Sequence, residues 1–311
     1  MKVFGISVLP ELAPGEVPFW RQTLRGFSQC AFQAHELCAL FLIAAATLFS
    51  WRLGAFFVVS VFIGTVVARL LRGNADLLGL GLLGFNSGLM GLALGSFFEP
   101  NNALRIWMPV LAAVVAAVSV AMARWLLIPY LAAPFIVIFW AIWPLAETMG
   151  LMKLDLGAFP DAPVTPIRAF VAALGAALFA SATGPGLLFL IGVLTSNWRH
   201  AVVALMGAAI ASSLAAHVGA PGTAINSGFI GFNAVLAAVA TYALIAPDLR
   251  LAALAAFIAT WIFSYVNRNS PAPALASGFV LTVWTIMLVG RINPRFNGEV
   301  AEAPPEVRPA I

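Results

Sequence analysis

Long apolar runs separated by short polar breaks occupy the chain from residue 36 to residue 290. Runs of this length and apolarity read as membrane-spanning helices, which need about 20 residues each. The first half begins with a short amphipathic helix near 19–33. Five apolar spans follow, at 36–50, 53–71, 76–98, 104–126 and 130–149. Polar breaks separate them at Trp51-Arg52, Arg72-Gly73-Asn74, Glu99-Pro100-Asn101-Asn102 and around Pro129. The second half repeats the plan, with a short helix near 168–180 and spans at 184–197, 199–218, 223–246, 249–267 and 273–290. The expected units are an N-terminal tail (1–18), a first repeat (19–150), a linker (151–166), a second repeat (167–290) and a polar, Pro-rich tail (291–311) that reads as disordered.

The two halves also match residue by residue. Gly84-Phe85-Asn86 recurs as Gly231-Phe232-Asn233, and at the same offset of 147 Phe32 meets Phe179, Trp51-Arg52 meets Trp198-Arg199, and Leu89 meets Leu236. After a three-residue slip, Arg124 meets Arg268, Pro129 meets Pro273, Phe135 meets Phe279 and Trp140 meets Trp284. Five crossings per half is an odd number, so the second copy enters the membrane upside down, and the predicted pseudo-two-fold axis lies in the membrane plane. The two short helices are expected to be re-entrant, because counting them as crossings would spoil that pattern. Of the 16 basic residues, 11 then fall on the side of both termini and five (Arg52, Arg105, Lys153, Arg168 and Arg268) on the other. By the positive-inside rule both termini are expected in the cytoplasm; the expected location is the inner membrane.

Composition sharpens the class. The chain is 62% hydrophobic and 9% charged, with mean hydropathy +1.00; soluble domains carry about 25% charged residues. It reads as an all-α, multi-pass membrane protein with no large soluble domain. The net charge is +4, and its basic residues sit mostly in short loops and mark topology, not a nucleic-acid surface. Residues 1–18 hold Glu11, Glu16 and three prolines and do not read as a signal peptide. Cys30 and Cys38, both in apolar sequence, suggest neither a disulfide nor a metal site. Phosphate-loop, His-Glu-x-x-His and Gly-x-Ser-x-Gly motifs are absent, and His200 and His217 have no ligand-spaced partners. No catalytic residues, metal or cofactor are expected.

The candidate chemistry lies where the copies meet. Each Gly-Phe-Asn interrupts an apolar span, and a buried amide without a partner costs several kcal/mol. Asn86 and Asn233 are therefore expected to hold backbone groups freed by the two helix breaks. Interhelical packing through small residues is the plainer alternative, but the duplication favours the break. Phe32 and Phe179 fall on the two re-entrant helices and Phe85 and Phe232 at the breaks; Leu89 and Leu236 lie one turn beyond. A slot between such rings suits a flat, uncharged solute whose N–H edges meet exposed carbonyls. Gln29 is matched by Ala176, so the two mouths differ. His35, Glu36 and Glu147 stand at helix ends, where an interfacial position is the commoner one. No span centre carries a charge, which argues against ion coupling.

At these residues the chain resembles the urea transporter family. The likeness spans nearly all of 19–290 and is strongest at Leu24-Arg25-Gly26-Phe27-Ser28-Gln29, Gly79–Gly95, Gly186–Gly192 and Gly228–Leu236, with Pro134-Phe135 adding to it. The resemblance implies ten spans in two inverted halves, a homotrimer with a pore in each protomer, and passage of urea down its gradient. It implies slots at Phe32, Phe85, Phe179 and Phe232, with Leu89 and Leu236 beside them, and an oxygen ladder of re-entrant-helix carbonyls. The chain departs from the pattern at the pore centre, where the family's two threonines are replaced by Ala132 and Ala276 and the second Pro by Gly278. A further polar position, expected at the start of the second re-entrant helix, is Ala176. The family's Asn-Pro-Trp-Thr-Gly-like stretch reads His35-Glu36-Leu37-Cys38-Ala39 and Thr183-Gly184-Pro185-Gly186. This apolar waist leaves open other small neutral solutes (short amides, ammonia, water). A non-conducting solute sensor is the rival from another class.

Overall fold

The computed structural model describes residues 1–3, 6–155 and 157–292; the tail expected from 291 onward lies outside these from residue 293. The described chain is helical, apart from a two-residue strand pair (Lys2–Val3 with Ile6–Ser7) and a bridge between Phe98 and Lys153. In the first half, α1 (Phe19–Ser28) and a 3-10 turn (Gln29–Ala31) lead to α2 (Glu36–Phe49), α3 (Trp51–Leu70), α4 (Ala75–Gly79), α5 (Phe85–Phe97), α6 (Asn102–Trp125) and α7 (Ala133–Ile142). The second half runs through α8 (Pro166–Ala176), α9 (Thr183–Ser196), α10 (Trp198–His217), α11 (Gly222–Asn226), α12 (Phe232–Leu244), α13 (Leu249–Asn269) and α14 (Ser277–Ile292).

Four of these helices, α3, α6, α10 and α13, are long and apolar enough to cross a membrane; α1 with its 3-10 turn and α2, bent by 66°, would make a fifth. Only 33–44% of each long apolar stretch is buried in the protein, so most of it faces outward. Trp51, Trp125 and Trp198 sit exposed at the ends of α3, α6 and α10, where the membrane interface favours an indole. The spans expected at 76–98 and 223–246 are each split into a five-residue and a 13-residue helix. The break needs glycine. Gly81 and Gly228 have φ of +79° and +75°, and a Cβ on them would fall 2.4 Å from the Arg25–Gly26 backbone and 2.1 Å from the Ala173 nitrogen. Each break is thereby pressed onto α1 or α8.

Three expectations need correction. The span at 130–149 is helical only over 133–142 and continues as turns to Gly150. Trp51-Arg52 opens α3; the break is at Ser50, as the break before α10 is at Asn197, which accepts from the N–H groups of Arg199 and His200. Arg21 and Arg25, counted among the topology charges, are spent inside the fold. Glu36 Oε1 accepts from Arg21 Nε at 2.6 Å and from Arg25 Nε at 2.9 Å, with Arg21 only 2% exposed. Setting both aside leaves nine basic residues against five across the expected sides. Glu36 is therefore the buried anchor of the α1–α2 bend, while His35 caps α2 by accepting from the Cys38 N–H. Arg25 also donates to the Gly79 carbonyl at 2.8 Å, which ties the same cluster to the first break.

The halves join along α2 and α9, which pack together over their length, and through two reciprocal bonds. Trp140 Nε1 donates to the Pro273 carbonyl and Trp284 Nε1 to the Pro129 carbonyl, each at 2.8 Å. Removing one member of a buried ion cluster strands the others, at about 3–5 kcal/mol. Glu36→Ala is therefore expected to lower the unfolding midpoint in detergent strongly, and an unchanged midpoint would show that the cluster does not hold the bend.

Candidate functional site

The site rests on four residues held in the left-handed backbone region. Phe32 and Phe179 both have φ of 58°, and Leu131 and Leu275 have 50° and 51°. This region costs a bulky residue about 1–3 kcal/mol. Of the five non-glycine residues with positive φ among the described residues, four thus form two sequence-matched pairs. The two phenylalanines were expected on the short helices; each is instead the turn residue that ends one, which swings its ring off the helix axis.

Asn86 and Asn233 are fully buried and hold the turns at Leu131 and Leu275. Asn86 Nδ2 donates to the Leu131 carbonyl at 2.9 Å, and its Oδ1 accepts from the Phe135 N–H at 3.4 Å. Asn233 Nδ2 donates to the Leu275 carbonyl at 2.9 Å, and its Oδ1 accepts from the Phe279 N–H at 2.8 Å. The backbone they satisfy is thus the first turn of a neighbouring helix, α7 or α14, and not their own broken span as expected. The reason is local. A helix start leaves four N–H groups unpaired, and Ala132, the N-cap residue of α7, has no side chain to bond them.

These turns surround one narrow cavity between the halves. It is lined by Gln29, Phe32, Phe85, Leu89, Ala132, Phe179, Phe232, Leu236 and Ala276, so the structure brings all nine candidate lining residues together. Cys30, Phe135, Ala177 and Phe279 complete it. Its free space, about 20 Å³, is room for one water by the usual threshold of about 10–15 Å³. The rings lean on one another across the junction. Phe32 meets Phe279 edge-on at 5.5 Å, and Phe179 meets Phe135 edge-on at 6.2 Å. Phe135 and Phe279 were legible as a pair in the internal match; Cys30 and Ala177 carried no side-chain signal.

A comparison with known protein families matches residues 20–291 to the family described as urea transporter. The chain belongs to the urea transporter family. It is accordingly a multi-pass membrane protein of a transporter family, not an enzyme family, with urea as its class of small neutral solute. Comparison with curated proteins finds no match. Among the described residues no group of three His, Cys, Asp or Glu side chains comes together as a metal site.

In this urea transporter the two ends of the cavity differ. Beside Phe85, Tyr130 stacks at 6.4 Å and donates its hydroxyl to the Leu82 carbonyl, and Gln29 Nε2 donates to the Leu80 carbonyl at 2.8 Å. Beside Phe232 stand Phe229 and Phe263. Ala176, which was expected to begin the second short helix, is its last residue and does not line the cavity; Ala177 does. Glu147 is exposed and takes no part. Backbone acceptors remain where the short helices end, the carbonyls of Phe32 and Phe179 among them. The carbonyls of Cys30 and Ala177, matched at offset 147, accept no hydrogen bond among the described residues, whereas those of Gln29 and Ala176 accept from Phe32 and Phe179.

Asn86→Ala or Asn233→Ala would leave a buried carbonyl and N–H unpaired, at about 1–3 kcal/mol each. Both variants should unfold earlier than the parent in thermal or denaturant titration, and the double variant by about the sum; no shift in either would remove the clasp from the account.

Proposed function

We propose that this protein is a channel for facilitated diffusion of urea down its gradient across the inner membrane, with the path running through the cavity between the halves. One observation carries the reading. Unclaimed carbonyls, at Cys30 and Phe32 and at their counterparts Ala177 and Phe179, fall on residues lining a cavity walled mostly by aromatic and aliphatic side chains. A planar amide fits such a wall, because its faces contact Phe85, Phe232, Phe32 and Phe179 while its N–H groups donate to the carbonyls. Gln29 has one amide N–H on the Leu80 carbonyl and keeps its side-chain oxygen to receive solute at one mouth. Asn86 and Asn233 stiffen the turns that carry Leu131 and Leu275, so Ala132 and Ala276 stand at a fixed waist.

The matched turns, clasps and ring pairs support a wider arrangement: ten crossings in two inverted five-span repeats, with α1 and α8 as re-entrant segments. Both termini are cytoplasmic in this reading. Family resemblance supports a homotrimer with one path per protomer. A path walled by apolar side chains and lacking a charge at its waist needs no ion gradient.

Uptake of labelled urea by proteoliposomes without any ion gradient tests the proposal. A rate above that of empty vesicles is expected, and equality with them would reject it. Replacing Ala132 and Ala276 together by Leu should return the rate to that of empty vesicles. Cys30 supplies an independent check, since it lines the cavity while Cys38 does not. Mercuric ion should block uptake reversibly by thiol in the parent and not in Cys30→Ser; block of both alike would place the conducting path elsewhere.

The narrow waist favours one second reading. With alanine at both centre positions and free space near one water, ammonia or water would pass more readily than urea. A panel of urea, methylurea, formamide, acetamide and ammonia separates the two by rate order.

A further inference from the structure

A second, larger cavity lies behind one end of this site, beyond Phe229 and Phe263, and shares none of its lining residues. It lies between α10, α11 and α13, has about 650 Å³ of free space, and is walled by Leu214, Val218, Ile230 and Phe263, with Trp261 and Tyr265 on its exposed side. Its size falls within the range of about 300–1,000 Å³ typical of small-ligand sites. Arg268, Asn267 and Asn269 form a polar rim at one end, close to the end of α13.

The first half shows what this seam looks like when filled. There Arg124, the counterpart of Arg268, donates to the carbonyls of Leu71 at 2.8 Å and Arg72 at 3.3 Å. Leu83 and Val120 pack into the seam behind it: a Cβ on Gly73 would lie 2.5 Å from Leu83 and 3.6 Å from Val120. In the second half the corresponding residues are Val218, Gly219, Ile230 and Ser264, and Leu77 becomes Ala224. The seam stays open, and Arg268 makes no hydrogen bond or ion pair among the described residues. Asp161, on the linker nearby, uses its carboxylate on the N–H groups of Ala162 and Gly222.

We propose that this cavity binds an anionic phospholipid, with an acyl chain in the slot and the phosphate on Arg268. The chemistry of the walls selects the ligand. An apolar slot open on the outward face of α13 takes a hydrocarbon chain. A guanidinium released from backbone duty at the mouth takes a phosphate oxygen pair, and two asparagine amides can donate beside it. Tyr265, one turn from the end of α13, marks the interface depth at which a headgroup lies, and Trp261 lies deeper, beside the acyl chain. A soluble phosphate would have no use for the apolar slot.

The full-length protein, reconstituted in phosphatidylglycerol and phosphatidylethanolamine and then extracted in mild detergent, is examined by native mass spectrometry. Retention of one phosphatidylglycerol per protomer is expected. Arg268→Ala should reduce it about fivefold, the worth of one basic contact near a membrane surface. Ala224→Leu with Ser264→Val, which closes the slot as the first half does, should abolish retention of either lipid. Arg105→Ala, on another helix, should change nothing. Equal retention by the parent and both cavity variants overturns the proposal. Efficient cross-linking of two chains through Trp261→Cys would also overturn it, since a second copy and not a lipid would then cover the slot. None of these readouts depends on urea passage.

Discussion

Backbone polar groups cannot be left bare inside an apolar protein, and the structure depends on how that constraint is met at the four interior turns at Phe32, Phe179, Leu131 and Leu275. Wherever the chain stops being helical in the interior, several N–H and C=O groups lose their intrahelical partners. Asn86 and Asn233 meet part of this demand for the turns ahead of α7 and α14. Each supplies one donor and one acceptor, which is what a helix start with an alanine cap lacks. Trp140 and Trp284 meet a further part by bonding prolyl carbonyls of the opposite half, which locks the two halves in register. What is left over includes the carbonyls of Cys30 and Ala177, two of the residues that line the cavity. On this view the path for solute consists of the backbone acceptors that the fold leaves unclaimed.

Strain and rigidity are joined in the same place. The left-handed turns at Phe32, Phe179, Leu131 and Leu275 would relax if their surroundings allowed it. They are held by the asparagine clasps and by edge-on ring contacts across the junction. Further out, the cluster of Arg21, Arg25 and Glu36 sets the α1–α2 bend and reaches the first break through the Gly79 carbonyl. The counterparts of these residues are Arg168, Ala172 and Thr183, so the second half cannot build the same cluster. The first half adds this charge cluster to the close backbone approach at Gly81, while the second has close approach alone, at Gly186 and Gly228.

Much of this was legible in the sequence, because duplication amplified weak signals. A single Gly-Phe-Asn says little; two at one offset located both breaks, and the paired rings and leucines gave the lining of the cavity. Three features escaped. Glu36 read as an interfacial carboxylate because its partners lie 15 and 11 residues away on a helix that folds back through 66°. The clasps were assigned to the wrong backbone, since pairing across 45 and 42 residues is a property of packing and not of local sequence. Free carbonyls on the short helices were expected, but not that Cys30 and Ala177 would carry them, because a backbone acceptor has no letter in the sequence.

The account turns on whether urea occupies the junction between the halves. A structure determined by electron microscopy in the presence of 1,3-dimethylurea, a flat analogue too bulky to pass quickly, addresses this directly. Density between the rings of Phe85 and Phe232, within hydrogen-bond reach of the Cys30 or Ala177 carbonyl, is the predicted result. A cavity without analogue density, or rings turned outward to lipid with no continuous opening between the halves, would contradict it.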